Sequence, residues 1–128
     1  MNPSPTASPC VFAGDIYYCS AKSGFIPGAN GGIWTGNVQN QLRQTMRNQL
    51  DNLEEAGMDF SHVVAATLYF DDPADYDKLN EVYRLYFSEP FPARGVVQQL
   101  APVERKPRPN GRWPGLEQMS LIGLKSKN

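Results

Sequence analysis

Residues 91–100 read FPARGVVQQL, and this stretch decides the fold. Pro92 ends whatever element precedes it, because its ring fixes φ and it has no N–H to donate. The Val- and Leu-rich run that follows has the composition of a buried strand. Arg94 stands at the start of that run, and a guanidinium is always charged and costly to bury alone. Arg94 therefore reaches solvent at the strand end, pairs with an anion of the protein, or waits for an anionic ligand.

Length and charge favour a single domain that handles neither nucleic acid nor membranes. A chain of 128 residues can bury one real core. The net charge of −1 creates no field that attracts nucleic acid or an anionic membrane. No apolar run approaches the length of a membrane span, and the N-terminus has no signal-peptide pattern. We therefore predict a cytoplasmic protein with a flexible arm (residues 1–13), one domain (14–125) and a tail (126–128).

The two cysteines, Cys10 and Cys19, are too few to form a metal site by themselves. They could form a disulfide or remain free thiols. Because a reducing cytoplasm keeps thiols reduced, free thiols are the preferred interpretation.

Hydrophobic spacing and stop signals predict two helices among four strands. Residues 38–56 repeat apolar side chains every three or four positions, with Asn37 as the N-cap and Gly57 as the left-handed residue that closes the helix. A second helix begins at Asp72-Pro73 and extends to about Phe87, with its aromatic residues in the core. Strands are predicted at residues 16–20, at 63–70 with both faces covered, after Pro92, and at 116–124.

This element order predicts an α+β domain with both helices on one face of a mixed sheet. Two helices cannot cover both faces, so the other face must be buried by partner subunits.

Most familiar catalytic patterns are absent. His62 is the single histidine, so the sequence carries no His-rich metal site or obvious triad, and no phosphate-binding glycine loop precedes a helix. Besides Arg94, the residue of interest is Glu117 at the start of the last apolar strand. A carboxylate there needs a partner or has a raised pKa, and either state could serve proton transfer. The alternative is a carboxylate at the rim of the strand, in water.

Over about residues 14–125 the chain resembles the Rid family, also called the YjgF-type or endoribonuclease L-PSP family. The combination of an Asn-x-x-Tyr helix with a following Pro-Ala-Arg is the most specific part of the resemblance. The matching segments are Gly14-Asp15, Glu55-Ala56-Gly57-Met58, Val63 to Phe70, Asn80-Glu81-Val82-Tyr83 with Tyr86-Phe87, Pro92-Ala93-Arg94 and Leu116-Glu117.

The resemblance implies a chorismate-mutase-like α+β domain that forms a homotrimer with ligand clefts between subunits. It further implies an imine/enamine deaminase that hydrolyses reactive 2-imino acids to 2-keto acids and ammonia. In that family pattern Arg94 grips the substrate carboxylate and Glu117 positions the attacking water. Ser20 and Asn80 match supporting positions that bind substrate. No metal or organic cofactor is implied, and the expected ligand is a small 2-imino or 2-keto acid.

Two alternatives remain open from the sequence. The family's enamine deaminases usually carry a Gly-Pro-Tyr segment near the N-terminus, and residues 8–11 (SPCV) do not match it. This difference favours a non-catalytic, carboxylate-binding or chaperone-like trimer. The third interpretation is a ribonuclease or RNA-binding protein, which only the basic loop at 104–115 supports.

Overall fold

The computed structural model describes residues 8–23, 37–98 and 117–127. The basic loop at 104–115 and the first seven residues of the predicted arm lie outside these ranges. The elements are strands β1 (Cys10–Ala13), β2 (Ile16–Ser23), β3 (Val63–Phe70), β4 (Ala93–Gln98) and β5 (Glu117–Leu124), with helices α1 (Val38–Glu55) and α2 (Tyr76–Tyr83).

The five strands form one sheet in the order β1-β2-β5-β3-β4. All neighbours are antiparallel except β3 and β4, which run parallel. Ala66 on β3 lies between Arg94 on β4 and Leu121 on β5, and Phe70 lies between Gln98 and Glu117. The predicted mixed α+β sheet is therefore confirmed, with one further strand at its N-terminal edge.

Helix α1 begins and ends at the signals that the sequence carries. The Asn37 side chain accepts hydrogen bonds from the backbone N–H groups of Gln39 and Asn40, at 2.8 and 3.2 Å. Gly57 follows the helix with φ of +75°, in the left-handed region that glycine adopts without strain. Gln41, Thr45 and Gln49 are polar, yet they are buried against β5, where they hydrogen-bond to Glu117 and Met119.

The second helical segment begins at Asp72-Pro73 as predicted, but the α-helix itself, α2, starts only at Tyr76 and is shorter than expected. The Asp72 side chain accepts a hydrogen bond from the Ala74 N–H at 2.9 Å, and residues 73–75 form a 3₁₀ turn ahead of the helix. The helix ends at Tyr83 rather than near Phe87. Beyond Tyr83 the hydrogen-bond pattern becomes that of a 3₁₀ turn, because the N–H groups of Leu85 and Tyr86 bond to carbonyls three residues earlier.

Both helices lie on one face of the sheet, as predicted, and the core fills the space between. Side chains alternate between buried and half-buried along β5 and along β3 from Ala65 onward. One face of β3 is therefore covered within the chain, and the cover of its half-buried second face by a partner subunit stays a prediction. In the described part of the chain no helix covers the second face, where Tyr18 and Val97 are 43% and 42% exposed. The main core residues are Leu42, Met46, Leu53, Leu68, Leu79, Val82, Met119 and Leu121.

The N-terminal region corrects two predictions. Residues 10–13 were assigned to a flexible arm, but they form β1 and pair with β2 through the turn at Gly14, whose φ is +62°. Cys10 and Cys19 lie directly opposite each other in this pairing and form a disulfide, so the preference for free thiols is wrong. Sequence reasoning missed the bond because it left Cys10 outside the sheet.

The two described residues of the predicted tail, Ser126 and Lys127, bond to the domain. The Ser126 N–H donates to the Asp15 carboxylate at 3.1 Å, and Lys127 Nζ donates to the Val63 carbonyl at 3.3 Å. Among the helices of the described residues, none combines the length and the apolar character needed to cross a membrane.

Candidate active site

Arg94 is the second residue of the edge strand β4, and its side chain turns towards α2. It takes this direction because its sheet partner Ala66 faces the helices. Nη1 donates to Asn80 Oδ1, and Nη2 donates to the hydroxyl of Tyr76 at 3.0 Å. Tyr76 and Asn80 are four residues apart on α2 and so share one face of the helix. Two residues of α2 therefore fix the side chain of Arg94.

Two aromatic rings flank the guanidinium. Its central carbon lies 4.8 Å from the ring centre of Tyr83 and 5.6 Å from that of Tyr76. Rings at these distances attract a cation through their negative faces. Tyr76, Asn80 and Tyr83 follow at i, i+4 and i+7, so one stripe of α2 supplies all of these contacts.

The partners of Arg94 are neutral. Among the described residues no carboxylate forms an ion pair with it; the ion pairs found there join Arg47 to Asp51 and His62 to Asp59. Arg94 is half-buried, so its positive charge is fixed in place without being compensated from within the described chain. Since a guanidinium has five N–H donors and two are used here, the others can serve a ligand.

The two flanking tyrosines have different environments. Tyr76 is 37% exposed, and a hydrogen bond with Asn80, followed by the charge of Arg94, lowers the pKa of its hydroxyl. Tyr83 is buried, and this burial raises the pKa of its hydroxyl, which finds no partner among the described residues. The prediction that the aromatic side chains of α2 pack in the core therefore holds for Tyr83 but is wrong for Tyr76.

Glu117 lies on the same face of the sheet as Arg94 but deep under α1. The residue is 1% exposed; Thr45 Oγ1 donates to one carboxyl oxygen, and its other oxygen finds no partner among the described residues. Its backbone N–H donates to Gln41 Oε1 at 3.3 Å. Burial raises the pKa of Glu117 to about 8 from the ordinary 4.5, and the Thr45 bond opposes that rise. The carboxyl is therefore mostly protonated at neutral pH.

The structure does not bring Arg94 and Glu117 together within one chain. Arg94 pairs with Ala66 and Glu117 pairs with Phe70, on opposite sides of β3. Four residues along a strand correspond to about 13 Å.

Of the remaining residues singled out in the sequence, Asn80 lies beside Arg94, whereas Ser20 and His62 do not. Asn80 is in the site and bonds to Arg94. Ser20 lies on β2, which β5 and β3 separate from β4, and its hydroxyl donates to the Pro9 carbonyl at 3.0 Å. His62 stays outside the site, where it closes a capping box with Asp59.

Sequence reasoning missed Tyr76 as a site residue. The signal was available, because Tyr76 lies one helical turn before Asn80 and must share its face. It was counted instead among the residues of the apolar stripe, although an aromatic ring with a hydroxyl can serve either purpose.

The chain is similar to known proteins in both sequence and fold. Residues 4–104 match the family described as endoribonuclease L-PSP. The chain is 34% identical over 94 residues to the human 2-iminobutanoate/2-iminopropanoate deaminase, covering 73% of this chain and 68% of that protein. It is 35% identical over 101 residues to a RutC family protein from Pyrococcus horikoshii, covering 79% and 76%. Among solved structures, RidA from the Antarctic bacterium Psychrobacter superposes with a TM-score of 0.78 at 28% identity, covering 96% and 91%.

Proposed function

The chain belongs to the endoribonuclease L-PSP family, and on that premise we propose that it is an imine/enamine deaminase. The family predicted from the motifs is thereby confirmed. The proposed reaction is hydrolysis of reactive 2-imino acids, such as 2-iminopropanoate and 2-iminobutanoate, to 2-keto acids and ammonia. These substrates are those in the name of the human relative, which shares about a third of its aligned residues with this chain.

The observation that carries the proposal is the environment of Arg94. Its charge is uncompensated by the described residues, it is half-exposed, and neutral partners fix its orientation. A planar guanidinium with free N–H groups matches a carboxylate through two parallel hydrogen bonds. A small 2-imino acid presents such a carboxylate beside the carbon that water attacks. We therefore assign to Arg94 the binding of the substrate carboxylate, and to Asn80 the orientation of the Arg94 side chain.

We propose that the protein acts as a homotrimer with its ligand cleft between subunits. The uncovered face of the sheet carries exposed apolar side chains, Tyr18 and Val97 among them, that a partner subunit would bury. Arg94 stands on the edge strand, where a second chain can approach it. Light scattering at micromolar protein should give three times the chain mass, and a stable monomer would contradict the proposal.

A role for Glu117 in positioning water is the less supported part of the proposal. Its carboxyl is buried against Thr45 of α1 rather than beside the guanidinium, and burial raises its pKa. The same observation favours the second candidate function, a trimer that binds small carboxylates without turnover. The two functions differ in one measurable quantity, the release of ammonia.

The test is ammonia release from 2-imino acids generated in place by an amino-acid oxidase, compared with the uncatalysed rate. Wild-type protein should accelerate release, and Arg94→Ala should abolish the acceleration while the trimer persists. Glu117→Gln is assayed in parallel: a lower kcat supports its role with water, and an unchanged kcat removes it from the mechanism. Wild-type protein that binds pyruvate but releases no ammonia would establish the binding function instead.

A further inference from the structure

Tyr76 presents a hydroxyl at the open side of the Arg94 site. The oxygen accepts a hydrogen bond from Arg94 Nη2 at 3.0 Å. A tyrosine hydroxyl that accepts through its oxygen still has its own proton to donate. The side chain is 37% exposed, whereas Tyr83 on the other side of the guanidinium is buried. Tyr76 is thus the group in this cluster that can hand a proton to a bound molecule.

The position of this hydroxyl suits the nitrogen of a 2-imino acid. A carboxylate held by the guanidinium sits about 2.8 Å from its nitrogens. The hydroxyl of Tyr76 occupies a position beside the same nitrogen atom, Nη2. In a 2-imino acid the C=N carbon is bonded directly to the carboxylate carbon, so the nitrogen lies next to the carboxylate. Binding of the carboxylate by Arg94 therefore places the imine nitrogen close to the Tyr76 hydroxyl.

We propose that the Tyr76 hydroxyl is the proton donor to the departing nitrogen, an assignment that rests on the proposed deaminase function. Water first adds across the C=N bond, its oxygen bonding to carbon and one of its protons ending on nitrogen. The C–N bond then breaks, and the nitrogen leaves with the electron pair and takes the proton of Tyr76. The tyrosinate recovers a proton from the carbinol O–H as the C=O bond forms. The products are a 2-keto acid and ammonia, and Tyr76 ends protonated as it began.

The surroundings of Tyr76 suit a group that passes briefly through its anion. Asn80 and the positive charge of Arg94 lower the pKa of its hydroxyl, in that order of importance, and both would stabilise a tyrosinate. Asp77 on α2 is the described charged group that opposes this effect. Phe70 on β3 contributes only an apolar ring, 6.1 Å from that of Tyr76. Since the donor must be protonated, kcat should fall on the alkaline side, at a pH below the ordinary pKa of tyrosine.

The experiment compares Tyr76→Phe with Tyr86→Phe in the ammonia-release assay across pH. Both changes remove one hydroxyl and keep the ring, but Tyr86 packs edge-on against Phe60, 5.6 Å away, outside the Arg94 cluster. Tyr76→Phe should lower kcat by about a hundredfold, leave KM within about twofold and remove the alkaline fall. Tyr86→Phe should match wild type. Thermal melts establish that both variants are folded.

Three other results are distinguishable. Wild-type activity with an equal kcat in Tyr76→Phe would overturn the inference and leave the deaminase function intact. A raised KM with unchanged kcat would overturn the proton donor and make Tyr76 a binding residue. Wild-type protein without ammonia release would overturn the deaminase function, and the role of Tyr76 with it.

Discussion

Arg94 and Glu117 are ionisable groups on the same, helix-covered face of one sheet, yet the fold treats them in opposite ways. Arg94 lies on the edge strand β4, stays half-exposed and keeps its charge beside Asn80 and Tyr76. Glu117 lies on β5, in the interior of the sheet, where burial raises its pKa to about 8. A guanidinium cannot give up its proton in a protein, whereas a carboxyl group can be neutralised by gaining one.

The comparison teaches that strand position decides what an ionisable residue can do. Among the described strands β4 has a neighbour on one side only, and Arg94 on it remains half-exposed. Glu117 has strands on both sides and α1 above it, and its carboxyl is buried and hydrogen-bonded to Thr45.

The largest expected effect is on the pH dependence of stability at Glu117. The folded-state pKa of about 8 lies above the ordinary 4.5, so the folded protein holds a proton that the unfolded chain releases. Stability should therefore fall as pH rises from 4.5 towards 8, at about 1.4 kcal/mol for each unit by which the pKa is raised. Glu117→Gln should remove this fall, because the amide stays neutral.

Urea unfolding of the two proteins between pH 4 and 9 measures this dependence. Glu54→Gln, which changes an exposed carboxylate on α1, is the control and should follow wild type. Parallel curves for wild type and Glu117→Gln would mean that folding does not raise the pKa of the buried carboxyl.

The second effect is on ligand binding at Arg94. Arg94→Lys keeps the charge but cannot reproduce the two parallel N–H bonds of the guanidinium. A hydrogen bond to a charged group is worth about 1.5–3 kcal/mol, so affinity for pyruvate should fall about ten- to a hundredfold. Stability should change by less than about 0.5 kcal/mol, since a half-exposed side chain carries little of the core.

Calorimetric titration with pyruvate and a thermal melt make the two measurements. Arg84→Lys, an exposed arginine directly after α2, is the matched control and should bind as wild type does. Equal affinity in Arg94→Lys would remove Arg94 from the ligand site.

The smallest effect concerns the residue that holds Arg94. Asn80→Ala removes the acceptor of Arg94 Nη1 and leaves the guanidinium to be ordered by the ligand itself. Ordering one long side chain costs about 0.5–1.5 kcal/mol, so pyruvate affinity should fall about two- to tenfold. Asn40→Ala removes a comparable asparagine that accepts from Arg43 on α1, at 3.2 Å, and should leave affinity unchanged. If the two variants bind equally, Asn80 does not orient the arginine.

Much of the fold could be read from local chemistry. Asn37 and Gly57 mark the ends of α1 because capping and a left-handed φ depend on a few adjacent residues. Asp72 and Pro73 mark the start of the 3₁₀ turn that leads into α2, for the same reason. Arg94 stood out because an arginine at the start of an apolar strand needs an explanation, and the motifs around it identified the family.

The sequence by itself determined two helices, four of the five strands, their order and the family, whereas the tertiary structure added β1 and decided which residues meet. The face that Glu117 presents depends on the register of β5 against β3, and a shift by one residue would turn it to the other side. The Cys10–Cys19 bond required β1 to pair with β2, and the local signal for that pairing was the two-residue turn Gly14-Asp15 between the strands. Tyr76 reaches Arg94 only because α2 packs over β4. Such contacts join residues far apart in the chain, and only the packed sheet and helices bring them together.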